Sequence, residues 1–282
     1  MTGTGTAGTG TTRTGTGTGT TETETGAAGT GTGHLTDGWE TATPSSDSLL
    51  LAGVRAMMQR AARWARASGG AVRDDGHTVF ADSGGPVRYL NEVISTRPLD
   101  GELAARALAF FGDGRDFVLS SPRGGADLSG HGLALEGHPP FLVRPPGGTA
   151  PALPAGVTVH EVTDPAGLRT WAGVLAAGFG MPPSVDPPPA LLGGAHRFWL
   201  ARRYGEPVAT AAASVGHGVV DVETVATLAG HRRRGIGEAV TWAATLADPA
   251  LPAVLLASDP GRPVYQRMGY LPLTRWTMWH RG

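Results

Sequence analysis

The sequence has no cysteine, which excludes disulfides, thiolate metal sites, iron–sulfur clusters and a cysteine nucleophile. Lysine is absent as well. All 23 basic residues are arginine, so a Schiff-base lysine and a P-loop lysine are excluded. Isoleucine is confined to Ile94 and Ile236 and asparagine to Asn91, a bias that reflects base composition rather than function. An excess of one charge is also missing. The 23 basic residues face 24 acidic ones, a formal net charge of −1, so no global field draws the chain onto nucleic acid or an anionic membrane. No run approaches the roughly 18 apolar residues of a membrane-spanning helix. The N-terminus lacks the charged region and apolar stretch of a secretion signal, so a cytoplasmic location is expected.

The 282 residues present are enough for about two domains. From Met1 to Gly33 threonine and glycine nearly alternate, with nothing large enough to pack, and residues 1–46 are expected to be a disordered tail. Order is predicted from Asp47 or Ser48, either of which can cap a helix. That helix carries Leu50, Val54, Met57, Met58, Ala61 and Trp64 at spacings of three and four. Strands are expected at 71–73, 78–81, 89–95, 117–119 and 141–143, with a helix from Pro98 to Phe111, making a small α/β unit over 47–144. Nothing in that unit reads as catalytic.

Residues 145–156 are rich in proline, glycine and alanine and uncharged, which predicts a linker. A second domain over 157–282 follows. Its expected elements are a strand at 157–161, a helix at 165–178 and a three-strand antiparallel meander at 198–204, 208–215 and 219–227. Then come a helix at 235–247, a strand at 253–257, a short helix near 264–268 and one final strand at 271–279.

The most informative segment runs from Val225 to Val240, where a strand leads into Arg232-Arg233-Arg234-Gly235-Ile236-Gly237-Glu238 and a helix begins. The first N–H groups of a helix have no intrahelical partner and the macrodipole is positive there, so this is an anion cradle sized for a pyrophosphate. Glycine at 235 and 237 removes Cβ atoms from the approach, and the arginines add charge-assisted hydrogen bonds. A dinucleotide fingerprint requires another glycine spacing, and a P-loop requires lysine.

Arg232-x-x-Gly235-x-Gly237, with a strand before and a helix after, resembles the pyrophosphate motif of the GNAT superfamily of acyl-CoA-dependent N-acetyltransferases. Downstream, Tyr265-Gln-Arg-Met-Gly269-Tyr270 resembles that family's Tyr-x-x-x-Gly-aromatic ending. The resemblance covers 157–279 in family order. It implies an α+β fold with a mostly antiparallel central sheet, a V-shaped splay and flanking helices, preceded by the smaller α/β unit. It also implies acetyl-CoA as cosubstrate, no metal, and an acetyl group passed to an amine by direct attack. The implied cofactor-binding residues are Val225, Ala226 and Thr227 by their backbone and residues Arg232, Arg233, Arg234, Gly235, Ile236, Gly237 and Glu238 at the pyrophosphate. Tyr265 would protonate the leaving sulfur. The layout as a whole resembles a tandem GNAT whose first half is degenerate.

Acyl transfer to a protonated amine also needs a base. Asp221, Glu223 and Val225 share one strand face by period two, so either carboxylate is a candidate. A water chain, or His160, His196 or His217, each read as a surface or turn histidine, remains open. The acceptor is expected to be a small-molecule amine or a protein N-terminus, and a homodimer is compatible with the sequence. A competing reading is a non-catalytic acyl-CoA-binding sensor or scaffold of the same fold.

Overall fold

In the computed structural model, which describes residues 49–181 and 187–282, the apolar residues spaced by three and four in the first helix are its buried face. Helix α1 (Leu49–Ala67) buries Val54, Met57, Met58, Ala61 and Ala65 and stops at Ser68-Gly69. The threonine/glycine segment and the Asp47 or Ser48 cap lie outside the described residues, as do residues 182–186. Strands β1 (Ala71–Asp74), β2 (Thr78–Asp82) and β3 (Glu92–Ser95) form an antiparallel run; the expected strand from Tyr89 begins only at Glu92, because Arg88–Leu90 coils into a 3₁₀ turn. Helix α2 (Gly101–Phe111) returns the chain to β4 (Phe117–Ser121), parallel to β3. Strand β5 (Ala134–Gly137), which the sequence pattern did not reveal, precedes β6 (Pro140–Arg144).

The second half follows its pattern closely. Strand β7 (Val157–Glu161) leads to α3 (Pro165–Phe179), whose N-cap Asp164 accepts from Ala166 N and Gly167 N ahead of Pro165. Strands β8 (His196–Arg203), β9 (Glu206–Gly216) and β10 (Val219–Thr227) are joined by the two-residue turns Tyr204-Gly205 and His217-Gly218, all four residues at positive φ. That left-handed pairing matches the right-handed twist of the flanking strands. Helix α4 (Ile236–Thr245), β11 (Ala253–Leu256), α5 (Arg262–Arg267), β12 (Leu271–Arg275) and β13 (Thr277–Arg281) complete the chain. The single strand expected at 271–279 is therefore two, divided at the fully buried Trp276.

That division matters because β12 and β13 enter different sheets. A six-stranded sheet has the order β1-β2-β3-β4-β13-β5 and a seven-stranded sheet the order β12-β6-β11-β10-β9-β8-β7. The chain thus exchanges strands across the expected boundary: β6 pairs with β11 and β12, and β13 pairs with β4 and β5. Residues 145–156 do not separate two bodies, and Pro44–Gly282 is one compact unit. Six strands of each sheet follow the same succession. In β1-β2-β3-β4-β13-β5 and in β8-β9-β10-β11-β6-β12 the pairings run antiparallel twice, parallel once, then antiparallel twice. In both, a helix (α2 or α4) joins the parallel pair.

Helix α1 lies between the sheets. It packs with Val79, Ala81 and Ile94 of the first and with Phe141, Val143, Val219 and Val254 of the second. On the opposite face of the seven-stranded sheet, α4 buries Ile236, Val240 and Ala244 against Ala211, Ala213, Val220 and Val222. Helix α3 shares the α1 side, where Leu168, Trp171 and Val174 meet Phe198, Leu200 and Ala212.

Candidate functional site

Parallel pairing of β10 with β11 is limited to Val220 with Ala253 and Asp221 with Val254. Beyond Asp221 the two strands part. The register of β10 against β9 shifts between Glu223 and Ala226, and Thr224 within that bulge has φ 50°. A bulge bends its strand and re-aims side chains. The expectation that Asp221, Glu223 and Val225 share a face is therefore corrected: Val225 packs with the α4-side core of Val220 and Val222, whereas Asp221 and Glu223 face α1.

The gap opened by the splay is a cleft of about 700 Å³. Its strand wall is Val225, Ala226 and Thr227, and Gly178 and Phe179 from the end of α3 meet it from one side. From the other side come Arg232, Arg233, Gly235, Gly237, Glu238 and Thr241 around the start of α4. Ser258, Pro260 and Gly261, with Val264, Tyr265 and Arg267 of α5, close it. Gly235 caps α4 at φ 75°, and no side chain caps that terminus, so the first N–H groups of the helix face the cleft without an internal acceptor. A Cβ at Gly237 would stand 3.0 Å from Thr227 Oγ1, so a side chain there would crowd the cradle.

Not every predicted cradle residue serves it. The Arg232 guanidinium donates to the carbonyls of Thr227 (3.0 Å) and Gly178 (2.8 Å), tying β10 to α3. Arg234 does not line the cleft, and the Ile236 side chain is buried in the α4 core. Arg267 and Thr241 line it and were missed. Arg267 could have been read from its place two residues after Tyr265, and Thr241 from its position one helical turn beyond Gly237.

Tyr265 lies in the cleft, its ring edge-on to Tyr270 at 6.0 Å. Burial pushes its phenol up to about 12, so it carries its proton throughout the neutral range.

Asp221 and Glu223 do not line the cleft. They converge on Arg60 of α1, which donates from Nε to Asp221 Oδ2 at 2.9 Å and is ion-paired through Nη1 with Glu223 Oε2 at 3.0 Å. Arg60 also meets Glu92 of β3 at 3.3 and 3.4 Å. Burial raises both β10 carboxyls above the ordinary carboxylate range; Arg60 opposes this, and Glu92 adds to it. His196, read from sequence as a surface or turn residue, is buried at the start of β8 with Nε2 at 3.4 Å from Glu223 Oε1. Burial, aided by Arg60 and Arg63, pushes its imidazole down to about 3, so it is neutral.

Against this geometry, residues 177–270 match the model of the Acetyltransferase (GNAT) family. The chain carries a GNAT acetyltransferase domain. Its motif segment, its splayed strand and its α4 cradle all fall inside the matched residues. The fold around that GNAT domain is shared more widely. A GCN5-related N-acetyltransferase from Kribbella flavida superposes with a TM-score of 0.62 at 24% identity, over 83% of this chain and 96% of that one. A GNAT-family protein from Novosphingobium aromaticivorans superposes at 0.54 with 15% identity, over 82% and 95%. A functionally unknown conserved protein from Staphylococcus epidermidis does so at 0.54 with 14% identity, over 74% and 92%. No curated protein matches the chain. Among the described residues no group of His, Asp and Glu is placed to hold a metal, and no helix is long and apolar enough to cross a membrane.

In the first sheet β3 stays paired with β4 from Glu92 to Ile94, and Leu99 bridges Gly125 beyond them. At the N-terminus of α2, the place matching the α4 cradle, Asp100 accepts from Leu103 N. Its own carboxylate occupies the position where an anion would bind.

Proposed function

We propose that the protein transfers the acetyl group of acetyl-CoA to an amine at the β10–β11 cleft, and that the first sheet is a degenerate copy of the second. The observation that carries this reading is the conjunction of a bulged, splayed β10 with an uncapped helix start at the far end of one continuous cleft. A pyrophosphate fits the α4 N-terminus, with Arg233 and Arg267 supplying charge and Gly235 and Gly237 supplying room. The pantetheine arm fits the β10 edge that β11 leaves unpaired beyond Asp221. The matching pair orders of the two sheets support the tandem reading, and the filled α2 terminus explains why only one half would bind CoA.

In this mechanism the amine nitrogen attacks the thioester carbonyl carbon, giving a tetrahedral oxyanion that backbone N–H groups of the bulge stabilise. Collapse breaks the C–S bond. The Tyr265 phenol, protonated at neutral pH, delivers its proton to the leaving sulfur. The amine's proton passes through water to Glu223, which lies behind the cleft wall and whose burial raises its pKa toward that of the group it must deprotonate. Asp221, one alternation earlier on the same face and fully committed to Arg60 through Oδ2, is the weaker candidate. The acceptor is a small-molecule amine or a protein N-terminus.

Calorimetric titration of acetyl-CoA into the wild type and Gly235→Glu tests the reading. Micromolar binding that the variant loses supports it. No binding by the folded wild type refutes it, and binding without turnover on any primary amine leaves an acyl-CoA scaffold.

A further inference from the structure

The two sheets meet at one buried ionic cluster, and that cluster adjoins the bulge. Arg60 reaches it from α1, Glu92 from β3 of the first sheet, and Asp221 and Glu223 from β10 of the second. His196 stands beside it on β8, and Arg63 of α1 donates to Ser214 on β9. The charges do not balance. Three carboxylates share one directly paired guanidinium, and their side chains are 15%, 1% and 15% exposed. Nor are the hydrogen bonds complete: Glu223 Oε1, Asp221 Oδ1 and His196 Nε2 are buried without a hydrogen-bond partner among the described residues. Native interiors rarely leave several such atoms together, so each of these calls for a role.

Glu223 precedes the bulge by one residue and the cleft-lining Val225 by two, so its side chain lies on the α1 face of β10 just behind the cleft wall. Its Oε2 is ion-paired with Arg60 at 3.0 Å, and its Oε1 lies 3.4 Å from Nε2 of the neutral His196 with no hydrogen bond made, so Oε1 is the oxygen open to a proton. We infer that Arg60, a residue of the N-terminal helix outside the GNAT match, is the positioning residue of the acyl-transfer base, and that Glu92 completes its clamp from the first sheet. The degenerate half then contributes to the chemistry, because it supplies the cation and the second carboxylate that orient Glu223 and set its charge. This inference rests on the acetyl-transfer reading above.

Opposite substitutions test it through opposite shifts. Glu92→Gln removes a like charge and keeps one of the two oxygen acceptors that Arg60 meets; Arg60→Met removes the opposite charge. Thiol release from acetyl-CoA is followed with a panel of primary amines across about pH 6–10, a span that includes the raised carboxyl. With the best amine, the acid limb of kcat moves to lower pH in Glu92→Gln and to higher pH in Arg60→Met. A displacement of one pH unit is about tenfold in rate on that limb. In Arg60→Met kcat falls while KM for acetyl-CoA stays within about twofold, because binding is remote from the clamp. Arg60→Lys recovers part of the loss, and Glu223→Gln removes the limb.

A purely structural cluster would lower stability in these variants and leave the limb in place; coincident limbs in wild type and Glu92→Gln overturn the inference while the transferase reading stands. Glu92→Gln retains Arg60 and decides the matter even where Arg60→Met does not fold. Wild type that turns over no amine overturns the transferase reading, and the inference with it.

Discussion

Replacing Arg60 by Met should destabilise the fold in a pH-dependent way, and the structure sets both size and sign. Methionine fills similar space but offers no donor, so Glu92, Asp221 and Glu223 lose contacts of 3.3, 2.9 and 3.0 Å at once. Breaking a buried pair by removing one partner costs about 3–5 kcal/mol. The Arg60 and Glu223 side chains retain 12% and 15% exposure, which places the loss at the lower end, about 3 kcal/mol. For a domain of this size that is a fall in Tm of about 6–12 °C. The sign follows from linkage. Burial holds the native pKa of Asp221 and Glu223 above their unfolded values, so what they contribute is fully present below the ordinary carboxylate range and is lost as pH rises from there through their raised native values. Arg60 limits that rise, and without it both carboxyls move further up. The deficit of the variant is therefore small near about pH 3, where Asp221 and Glu223 are mostly neutral in both states, and grows toward pH 8. Thermal unfolding followed by circular dichroism at both pH values measures it. A variant that melts with wild type at both, or that loses more at acid pH, refutes the assigned role of Arg60.

Three further outcomes are expected. Gly237→Val places a side chain against Thr227 Oγ1, where even a Cβ would stand at 3.0 Å, and should weaken CoA binding at least about tenfold with little change in melting; unaltered affinity by calorimetry would remove the cradle from the site. Tyr265→Phe should lower kcat by about 10²-fold or more and leave CoA affinity within about twofold, and equal turnover in stopped-flow thiol release would exclude the phenol as the acid. Truncation after Trp276 deletes β13, which holds β4 and β5 together, and should abolish cooperative unfolding of the first sheet. Unchanged hydrogen exchange in β4 would contradict that strand order.

What was legible in the sequence was local. The anion cradle could be read because its chemistry is written in contiguous residues: a strand, Arg232 to Gly237, and the apolar face of a helix. The helix starting at Pro165 and the close spacing of the meander strands are local for the same reason. Period-two reasoning placed Asp221 and Glu223 on one face correctly and failed at Val225, because a bulge depends on how β10 meets β9, which no residue of β10 announces. The path of the Arg232 guanidinium was not legible either: Arg232 lines the cleft, yet its guanidinium caps the carbonyls of Thr227 and Gly178, which depends on where α3 ends.

Composition and neighbours within a few residues suffice for the absence of thiol and lysine chemistry, the near-zero charge, most element boundaries and the cradle motif. The trading of β6 and β13 between sheets, the division of one apolar run at Trp276 and the pairing of an arginine of α1 with two carboxylates of β10 arise only once the chain is assembled. Strand exchange and ion pairing over 161 residues of separation are set by which apolar faces bury together, and burial is a property of the assembled chain rather than of any segment in it.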